Sequence, residues 1–204
     1  MPIKQIKSQH DLSLKHAKWL KDKFKNVEHH LIEMDKIFGS FSQVLNNFDN
    51  EHGYANSRAR LRMATLYQVA AANNGLVVGT GNKVEDFGVG FYTKYGDGGV
   101  DISPIADLLK SEVFKIANHL GIVSSIQKAK PTDGLWDDDR SDEDQLGATY
   151  DELEWAMNYL EVNYQGNLSE RQKKVLEIYS GHHQKNLHKM NPIPVCEIPK
   201  SLRS

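Results

Sequence analysis

The chain alternates between segments with a helical spacing of apolar residues and short runs that are apolar throughout. Apolar residues at every third or fourth position predict a helix with one buried face, and a short continuous run predicts a buried strand. The predicted helices are 11–24, 38–45, 57–72, 107–120, 150–160 and 169–186; the predicted strands are 27–34 and 76–78; the predicted loops include 46–54 and 127–145. Strands that alternate with helices predict an α/β fold with a doubly wound parallel sheet and flanking helices.

Several predicted helix ends carry residues that commonly cap helices. Asp11 and Ser169 are predicted N-caps, because a short side-chain oxygen can accept hydrogen bonds from the free N–H groups of a first turn. Asn73–Gly75 and Gly121 are predicted to end the helices that precede them, since these residue types tolerate a left-handed backbone.

The predicted strand 76–78 is followed at once by the small polar residues of 79–82, with the sequence GTGN. Open α/β sheets bind ligands at this kind of position, outside the carboxyl ends of their strands. The glycine-rich run 96–99 would let a backbone approach a ligand closely, although a tight turn without a ligand needs the same residues. We therefore expect a ligand site around these segments.

Three motifs in this region are specific enough to indicate a family: VVGTGNKVED, GFYTKYGDGGVD and SPIADLLKSEV. Together with ARLRM upstream and with KPTDGLW and a histidine–lysine pair downstream, they make most of the chain similar to the NAD synthetase family. The resemblance implies that residues 1–190 form an ATP pyrophosphatase domain with an adenine-nucleotide α-hydrolase-like fold. Residues 191–204, which contain three prolines, are expected to form an extended tail.

The resemblance implies an ammonia-dependent NAD synthetase, a ligase that forms a C–N bond. ATP would first adenylate the nicotinate carboxylate of deamido-NAD and release pyrophosphate, and ammonia would then displace AMP. A free carboxylate is a poor electrophile, so activation must come first, in a site with cations, a metal carboxylate and little water. The resemblance also implies Mg²⁺ as the cofactor, ATP as a co-substrate and a homodimer.

The family's binding residues match particular positions of this chain. The resemblance implies that ATP is bound by Thr80, Lys110 and Thr132, and that Mg²⁺ is bound by Glu85. It implies that deamido-NAD is bound by Arg60, Lys94, Asp101, His188 and Lys189. Taken alone, a threonine in a turn or a glutamate on a short helix is commonly structural, so these assignments depend on the flanking motifs. No catalytic residue is assigned.

Six acids crowd one part of the predicted loop 127–145. They are Asp137, Asp138, Asp139, Asp142, Glu143 and Asp144. The composition favours a solvated loop. The resemblance implies instead a mobile segment that orders over the bound nucleotide and helps to admit ammonium. Neither interpretation gives a role to a particular acid.

One motif of the family, the phosphate loop SGG-x-DS, does not occur in the 204 residues. In the family it lies on the first strand–helix turn, which would precede Met1, so we expect the chain to be truncated at its N-terminus. Backbone N–H groups of such a loop stabilise the charge of the leaving pyrophosphate. We therefore expect these 204 residues alone to be inactive in NAD formation and, with an exposed strand edge, prone to aggregate.

Two other hypotheses stay open. The chain could be an ATP pyrophosphatase that acts on another carboxylate or nucleotide, or a non-catalytic remnant that binds nucleotide, or pairs with an intact subunit, without turning over; the missing motif is the feature that keeps the remnant hypothesis open. An in-frame SGG-x-DS upstream of Met1 would favour the enzyme, and its absence would favour the remnant. No glutaminase-like domain is present in the sequence, so the use of glutamine is unsupported, although a truncation could also have removed such a domain.

Composition narrows the class further. The net charge of −2 gives no support for bulk electrostatic binding to nucleic acid or to an anionic membrane. The sequence has no apolar run of about 18 residues and no signal-peptide pattern. Its one cysteine, Cys196, cannot form an intramolecular disulfide, which favours the cytoplasm.

The histidines do not predict a metal site. The adjacent His29 and His30 would point to opposite faces of the predicted strand and so could not share a metal, and His182 and His183 are interpreted as helix-surface residues.

Overall fold

The computed structural model describes residues 1–135, 140–162 and 166–203, which are mainly helical. The α-helices are α1 (Lys7–Lys23), α2 (Asp35–Val44), α3 (Glu51–Ala72), α4 (Lys110–Leu120), α5 (Ser124–Gln127), α6 (Asp142–Leu146), α7 (Tyr150–Val162) and α8 (Glu170–Met190). There are 3₁₀ turns at Asn46–Phe48 and Lys200–Leu202, and a π-helix at Val84–Val89. Among the described helices, none combines the length and the apolar character that a bilayer crossing demands.

The helix ends confirm most of the capping predictions. Ser169 is the N-cap of α8, where its Oγ accepts a hydrogen bond from Gln172 N (3.2 Å). Gly121 ends α4 in the left-handed conformation, with φ of +71°. The prediction that Asp11 caps α1 is wrong. The backbone is already helical before Asp11, because His10 N donates a hydrogen bond to Ile6 O (3.1 Å).

The predicted loop 46–54 is wrong in its second half, because α3 begins at Glu51. Asn50 starts this helix: its Oδ1 accepts a hydrogen bond from Gly53 N (2.7 Å). The helix therefore begins at a short polar side chain that caps it, and the spacing of apolar residues did not predict this start. The predicted loop 127–145 likewise contains the helix α6, which Ser141 caps through a hydrogen bond from Asp144 N to Ser141 Oγ (3.1 Å).

The predicted strands are not formed as strands in the described residues. Val78 and Ile102 make an isolated parallel bridge, which has the direction expected of a parallel sheet. Segment 27–34 has no regular secondary structure, although Met34 N donates a hydrogen bond to Pro2 O (3.2 Å). A strand needs a neighbouring segment to complete its hydrogen bonds, and an apolar run cannot supply one. The doubly wound sheet therefore remains a prediction.

Buried apolar side chains form two separate clusters. The first core lies between the N-terminal segment and α2, and its buried members are Ile3, Met34 and Phe38. The second core lies between the π-helix, α6, α7 and α8. Its buried members are Val84, Val89, Leu146, Ala148, Tyr150, Leu153, Ala156, Met157, Val175 and Tyr179. The second core thus holds the π-helix, which contains Glu85, against the C-terminal helices.

Candidate functional site

Glu85 lies in the first turn of the π-helix, directly after the GTGN segment. The buried side chain of Asn82 caps this turn, since its Oδ1 accepts hydrogen bonds from Val84 N (3.1 Å) and Glu85 N (3.2 Å). Gly81 packs against the Asp86 carboxylate so closely that a Cβ at position 81 would overlap it. The small and polar residues of this motif therefore determine where the backbone of Glu85 lies.

Glu85 joins Lys110, Tyr150 and Asp142 in a polar group that we call the Glu85 cluster. Glu85 Oε1 accepts hydrogen bonds from Lys110 Nζ (2.9 Å) and Tyr150 OH (2.5 Å). Tyr150 OH also lies within hydrogen-bond distance of Asp142 Oδ2 (3.3 Å). The side chains of Lys110 and Glu85 are 20% and 15% exposed, so salt screens their attraction less than it would on an open surface.

Lys110 is the first residue of α4, where its charge opposes the helix dipole. Glu154 of α7 offsets this by binding the next residue twice: Glu154 Oε1 accepts from Ser111 N and Oε2 accepts from Ser111 Oγ, both at 2.8 Å. A carboxylate at the start of a helix is favourable for the same dipole. Glu154 thus fixes the helix end from which Lys110 reaches Glu85.

Lys110 and Thr132 line one cleft, with a volume of about 690 Å³, between α1, α4 and the segment 126–134. Thr132 is exposed, and its Oγ1 donates a hydrogen bond to Arg140 O (3.2 Å). Polar groups from Gln5 and Asp133 also line this cleft. Thr80 is exposed and does not belong to the lining. Of the three residues matched to ATP, two therefore meet at the cleft.

Asp142 is buried, with 7% of its surface exposed, and its Oδ1 has no hydrogen-bond partner among the described residues. Burial raises the pKa of Asp142 to about 6, and the charges of Asp133 and Glu85 act in the same direction. Burial also raises the pKa of Tyr150, as do the neighbouring carboxylates, so Tyr150 stays protonated and donates. The Glu85 cluster therefore contains a carboxyl group that can exchange a proton near neutral pH.

A second group of matched residues joins α3, the loop after the π-helix and the end of α8. Arg60 Nε donates a hydrogen bond to Lys94 O (3.2 Å), and Lys94 Nζ donates one to His188 O (2.5 Å). We call Arg60, Lys94, His188 and Lys189 the cationic group, after the charges of its arginine and two lysines. Arg60 and His188 are exposed, so the group presents the positive charge of Arg60 and the ring nitrogens of His188 at the surface.

Lys189 is more enclosed than the rest of the cationic group. Its Nζ donates hydrogen bonds to Gly90 O and Tyr92 O, both at 2.8 Å, and lies 5.4 Å from the centre of the Tyr92 ring. Burial lowers the pKa of Lys189, while the charge of Asp97 raises it. The ammonium of Lys189 therefore already has protein acceptors.

Asp101 holds the backbone near the GTGN segment. Its Oδ2 accepts a hydrogen bond from Val77 N (2.8 Å), and its Oδ1 accepts one from Tyr67 OH (3.1 Å). Both carboxylate oxygens thus have partners within the chain. The contacts tie the predicted strand 76–78 to α3 and to the segment that follows the glycine-rich run.

The interpretation of His182 and His183 as helix-surface residues is wrong, because both are half-buried. His182 Nε2 lies 3.2 Å from Leu146 O, and His183 Nδ1 lies 2.7 Å from Gly88 O. Each histidine satisfies a carbonyl oxygen on the element that α8 packs against. The helical spacing of apolar residues does not predict the burial of His182 and His183, because a polar residue reads the same in the sequence whether it lies on the buried or on the exposed face of the helix.

The acidic segment divides into two parts. Asp137, Asp138 and Asp139 lie outside the described residues. Asp142, Glu143 and Asp144 form the first turn of α6, which is favourable at a helix N-terminus. The solvated-loop interpretation is wrong for Asp142, which faces Tyr150. Its place in the run of six acids gave no signal of burial, but the sequence SDED is a capping pattern that could have predicted a helix there.

Glu85 is the residue of the Glu85 cluster best suited to a metal ion. Its Oε2 lies 3.5 Å from Asn82 N and so retains capacity for another partner. The described residues contain no group of three or more acids, histidines or cysteines arranged around a metal. One carboxylate oxygen fits Mg²⁺ when phosphate oxygens and waters complete the coordination.

Comparison with known proteins identifies relatives of most of the chain. The family model for NAD synthase matches residues 1–192. An NH₃-dependent NAD⁺ synthetase from Thermoplasma volcanium is 38% identical over 156 residues, which are 76% of this chain and 62% of that protein. The chain spans 51–63% of the length of the relatives from Thermoplasma volcanium, Mesoplasma florum and Picrophilus torridus.

Two solved structures share the fold. The structure of NMN synthetase from Francisella tularensis is 30% identical, with a TM-score of 0.79 over 96% of this chain and 74% of that chain. The NH₃-dependent NAD synthetase from Campylobacter jejuni, in complex with the nitrate ion, is 26% identical, with a TM-score of 0.69 over 88% of this chain and 69% of that chain. The chain therefore has the fold of these synthetases.

Proposed function

Since the chain belongs to the NAD synthase family, we propose that it acts in the ATP-dependent amidation of deamido-NAD by ammonia, which forms NAD, AMP and pyrophosphate. The observation that carries this proposal is the contact between Glu85 and Lys110, which lies at the edge of the cleft shared with Thr132. A carboxylate for a metal and a lysine for phosphates, in one partly enclosed place, suit a magnesium nucleotide.

We assign the two sides of the reaction to the two groups of residues. Thr80, Lys110 and Thr132 bind ATP, and Glu85 holds the Mg²⁺ that neutralises its phosphates. The cationic group binds deamido-NAD, whose phosphates are anionic, and Asp101 contacts the same ligand. Charge-assisted hydrogen bonds from the cationic group orient the dinucleotide. The active enzyme is a cytoplasmic homodimer in this proposal.

Asp142 is the proton acceptor in this proposal. Ammonium has no free electron pair, so it must lose a proton before its nitrogen attacks the adenylated carbonyl. Oδ1 of Asp142, which has no hydrogen-bond partner among the described residues, is buried within the Glu85 cluster, and the pKa of this carboxyl is raised to about 6. A base with such a pKa is ionised at pH 7 and can accept the proton.

A second candidate substrate is the mononucleotide form of the same nicotinate. The structural similarity to an NMN synthetase favours it. The two substrates differ in the adenylate half of deamido-NAD, so the ratio of their kcat/KM values separates the candidates. A preference for the dinucleotide supports deamido-NAD, and a preference for nicotinic acid mononucleotide supports the second candidate.

NAD formation tests the proposed function in two proteins. One is the chain of 204 residues, and the other, the loop-bearing protein, is the same chain joined at its N-terminus to a relative's segment with SGG-x-DS. We expect NAD from the loop-bearing protein, dependent on ATP, Mg²⁺ and ammonia, and none from the chain alone, because the leaving pyrophosphate needs the N–H groups of that loop. NAD synthesis by the chain alone would show that the loop is dispensable. A folded loop-bearing protein that amidates neither nucleotide would refute the function.

Arg60 and Lys94 are expected to serve deamido-NAD more than ATP. Loss of a charge-assisted hydrogen bond costs about 1.5–3 kcal/mol, so alanine at either position should raise the dissociation constant for deamido-NAD roughly tenfold or more. Titration calorimetry with each nucleotide measures this. Lys185→Ala, which removes an exposed lysine of α8, is the control. A change confined to the ATP constant would contradict the assignment.

A further inference from the structure

Three side chains on one side of α8 bind the backbone that follows Glu85. His183 Nδ1 lies 2.7 Å from a carbonyl oxygen, Asn186 Nδ2 donates to another at 2.8 Å, and Lys189 Nζ donates to two more at 2.8 Å. The acceptors are the carbonyl oxygens of Gly88, Val89, Gly90 and Tyr92. We call His183, Asn186 and Lys189 the α8 clamp.

The clamped carbonyl groups lie at the end of the π-helix and just after it. Gly88 and Val89 are its last two residues, the chain reverses at Gly90 with φ of +64°, and carbonyl groups at a helix end have no partner within the helix. Val89 is fully buried, so water cannot easily replace a lost hydrogen bond there. A buried carbonyl group without a partner is costly. The α8 clamp therefore stabilises the backbone conformation of this segment.

The clamped segment connects the two sides of the proposed site. At one end, Glu85 O accepts hydrogen bonds from Gly90 N and from Phe91 N (2.9 Å for Phe91). At the other end, Lys94 Nζ donates to His188 O at the end of α8. The turn at Gly90 also packs too closely against α8 to accept a side chain, since a Cβ on Gly90 would lie 2.5 Å from Asn186 Cβ. One face of α8 thus supports both Glu85 and Lys94.

We propose that Lys189 and Asn186 are positioning residues, which hold segment 85–94 so that Glu85 and Lys94 keep their places. This adds a role to the one that the resemblance implies for Lys189, which is contact with deamido-NAD. The inference rests on the proposed function for its consequence in ligand binding. The clamp itself is a property of the ligand-free chain.

Hydrogen exchange of the ligand-free chain tests the clamp directly. In Lys189→Met the side chain keeps its length but loses its donors, and we expect the amides of Gly90 and Phe91 to exchange about tenfold faster or more. Lys189→Arg retains donors and should keep most of the protection. Lys185→Met, the same substitution at an exposed lysine one turn earlier, is the matched control and should change nothing.

A second variant keeps the test independent of Lys189. Asn186→Asp preserves shape but replaces the amide donor with a carboxylate oxygen that repels Val89 O, so it should also speed exchange in segment 88–94. Protection in α7 reports whether each variant stays folded. Unchanged exchange at Gly90 and Phe91 in both folded variants would overturn the proposal.

Binding of deamido-NAD separates positioning from direct contact. We expect weaker binding in Lys189→Met together with faster exchange. Weaker binding with unchanged exchange would show that Lys189 is a ligand contact and would overturn its positioning role. If the unaltered chain and the loop-bearing protein both fail to bind deamido-NAD, the proposed function fails, while the exchange result still decides the clamp.

Discussion

Replacement of Glu85 by glutamine in the loop-bearing protein is expected to lower the rate of pyrophosphate release by about 10²–10³-fold. Glutamine keeps the size of the side chain but removes the charge that would hold Mg²⁺. It also leaves Lys110, 2.9 Å away, without its carboxylate partner. Pyrophosphate release at saturating ATP, deamido-NAD and Mg²⁺ measures the effect.

A surface glutamate provides the matched control for this substitution. Glu161 pairs with Lys83 at 3.4 Å and is 51% exposed, and such pairs contribute at most about 1 kcal/mol to stability. Glu161→Gln should therefore release pyrophosphate at the unaltered rate. Circular dichroism should show that both variants are folded. An unaltered rate in Glu85→Gln at ordinary magnesium would refute the metal assignment.

Replacement of Asp142 by asparagine in the loop-bearing protein is expected to slow NAD formation by about 10²–10⁴-fold. Asparagine cannot accept the proton of ammonium, whereas adenylation does not need that step, so pyrophosphate release should continue. The unaltered enzyme should lose amidation as the pH falls below about 6, the value to which burial raises the pKa of Asp142. Separate assays of pyrophosphate and of NAD measure the two steps.

Asp142→Asn should slow NAD formation but increase the stability of the folded chain at pH 7. The pKa of Asp142 is higher in the folded chain, about 6, than its ordinary value of 3.8, so the folded state binds this proton more tightly than the unfolded state. The contribution of Asp142 to stability is therefore greatest below pH 3.8 and is lost as the pH rises through 6. At pH 7, Asp142→Asn should be more stable by on the order of 1–3 kcal/mol.

Asp151→Asn controls for the loss of a negative charge, because Asp151 is an exposed acid in the first turn of the neighbouring helix α7. It should leave both enzymatic steps unchanged. Thermal unfolding at pH 5 and pH 7 measures the stability of each variant. Equal slowing of adenylation and amidation in Asp142→Asn would contradict the role of Asp142 as the proton acceptor.

The sequence predicted the helices better than the strands, for a physical reason. A helix satisfies its own backbone, so the apolar period and the cap of α8 at Ser169 could be recognised locally. A strand depends on a neighbour, and segment 27–34 has no regular structure although its residues suit a strand. The start of α3 at Glu51 was missed because one hydrogen bond to Asn50 determines it.

In the candidate site too, local patterns could be recognised and contacts between distant residues could not. The motifs around Glu85 and Lys110 predicted that both residues bind ligand, and the structure places their charged atoms 2.9 Å apart. Tyr150 and Asp142 were missed because their importance comes from a contact with Glu85 and not from their own neighbours in sequence. Tyr150 is 65 positions from its partner Glu85, a distance over which no apolar period carries information. Lys189 had a matched role, but its protein acceptors could not be predicted.

The two buried cores have a consequence for how the chain melts. The first core is built from residues near the N-terminus and the second from residues after position 83, and the two clusters have no residue in common among the described residues. Such an arrangement permits the two parts to open with different free energies. A dinucleotide held both by Arg60 on α3 and by His188 on α8 would be released when either part opens. Its binding free energy would therefore add to the free energy of opening of each part. Ligand would thus convert two melting steps into one cooperative transition.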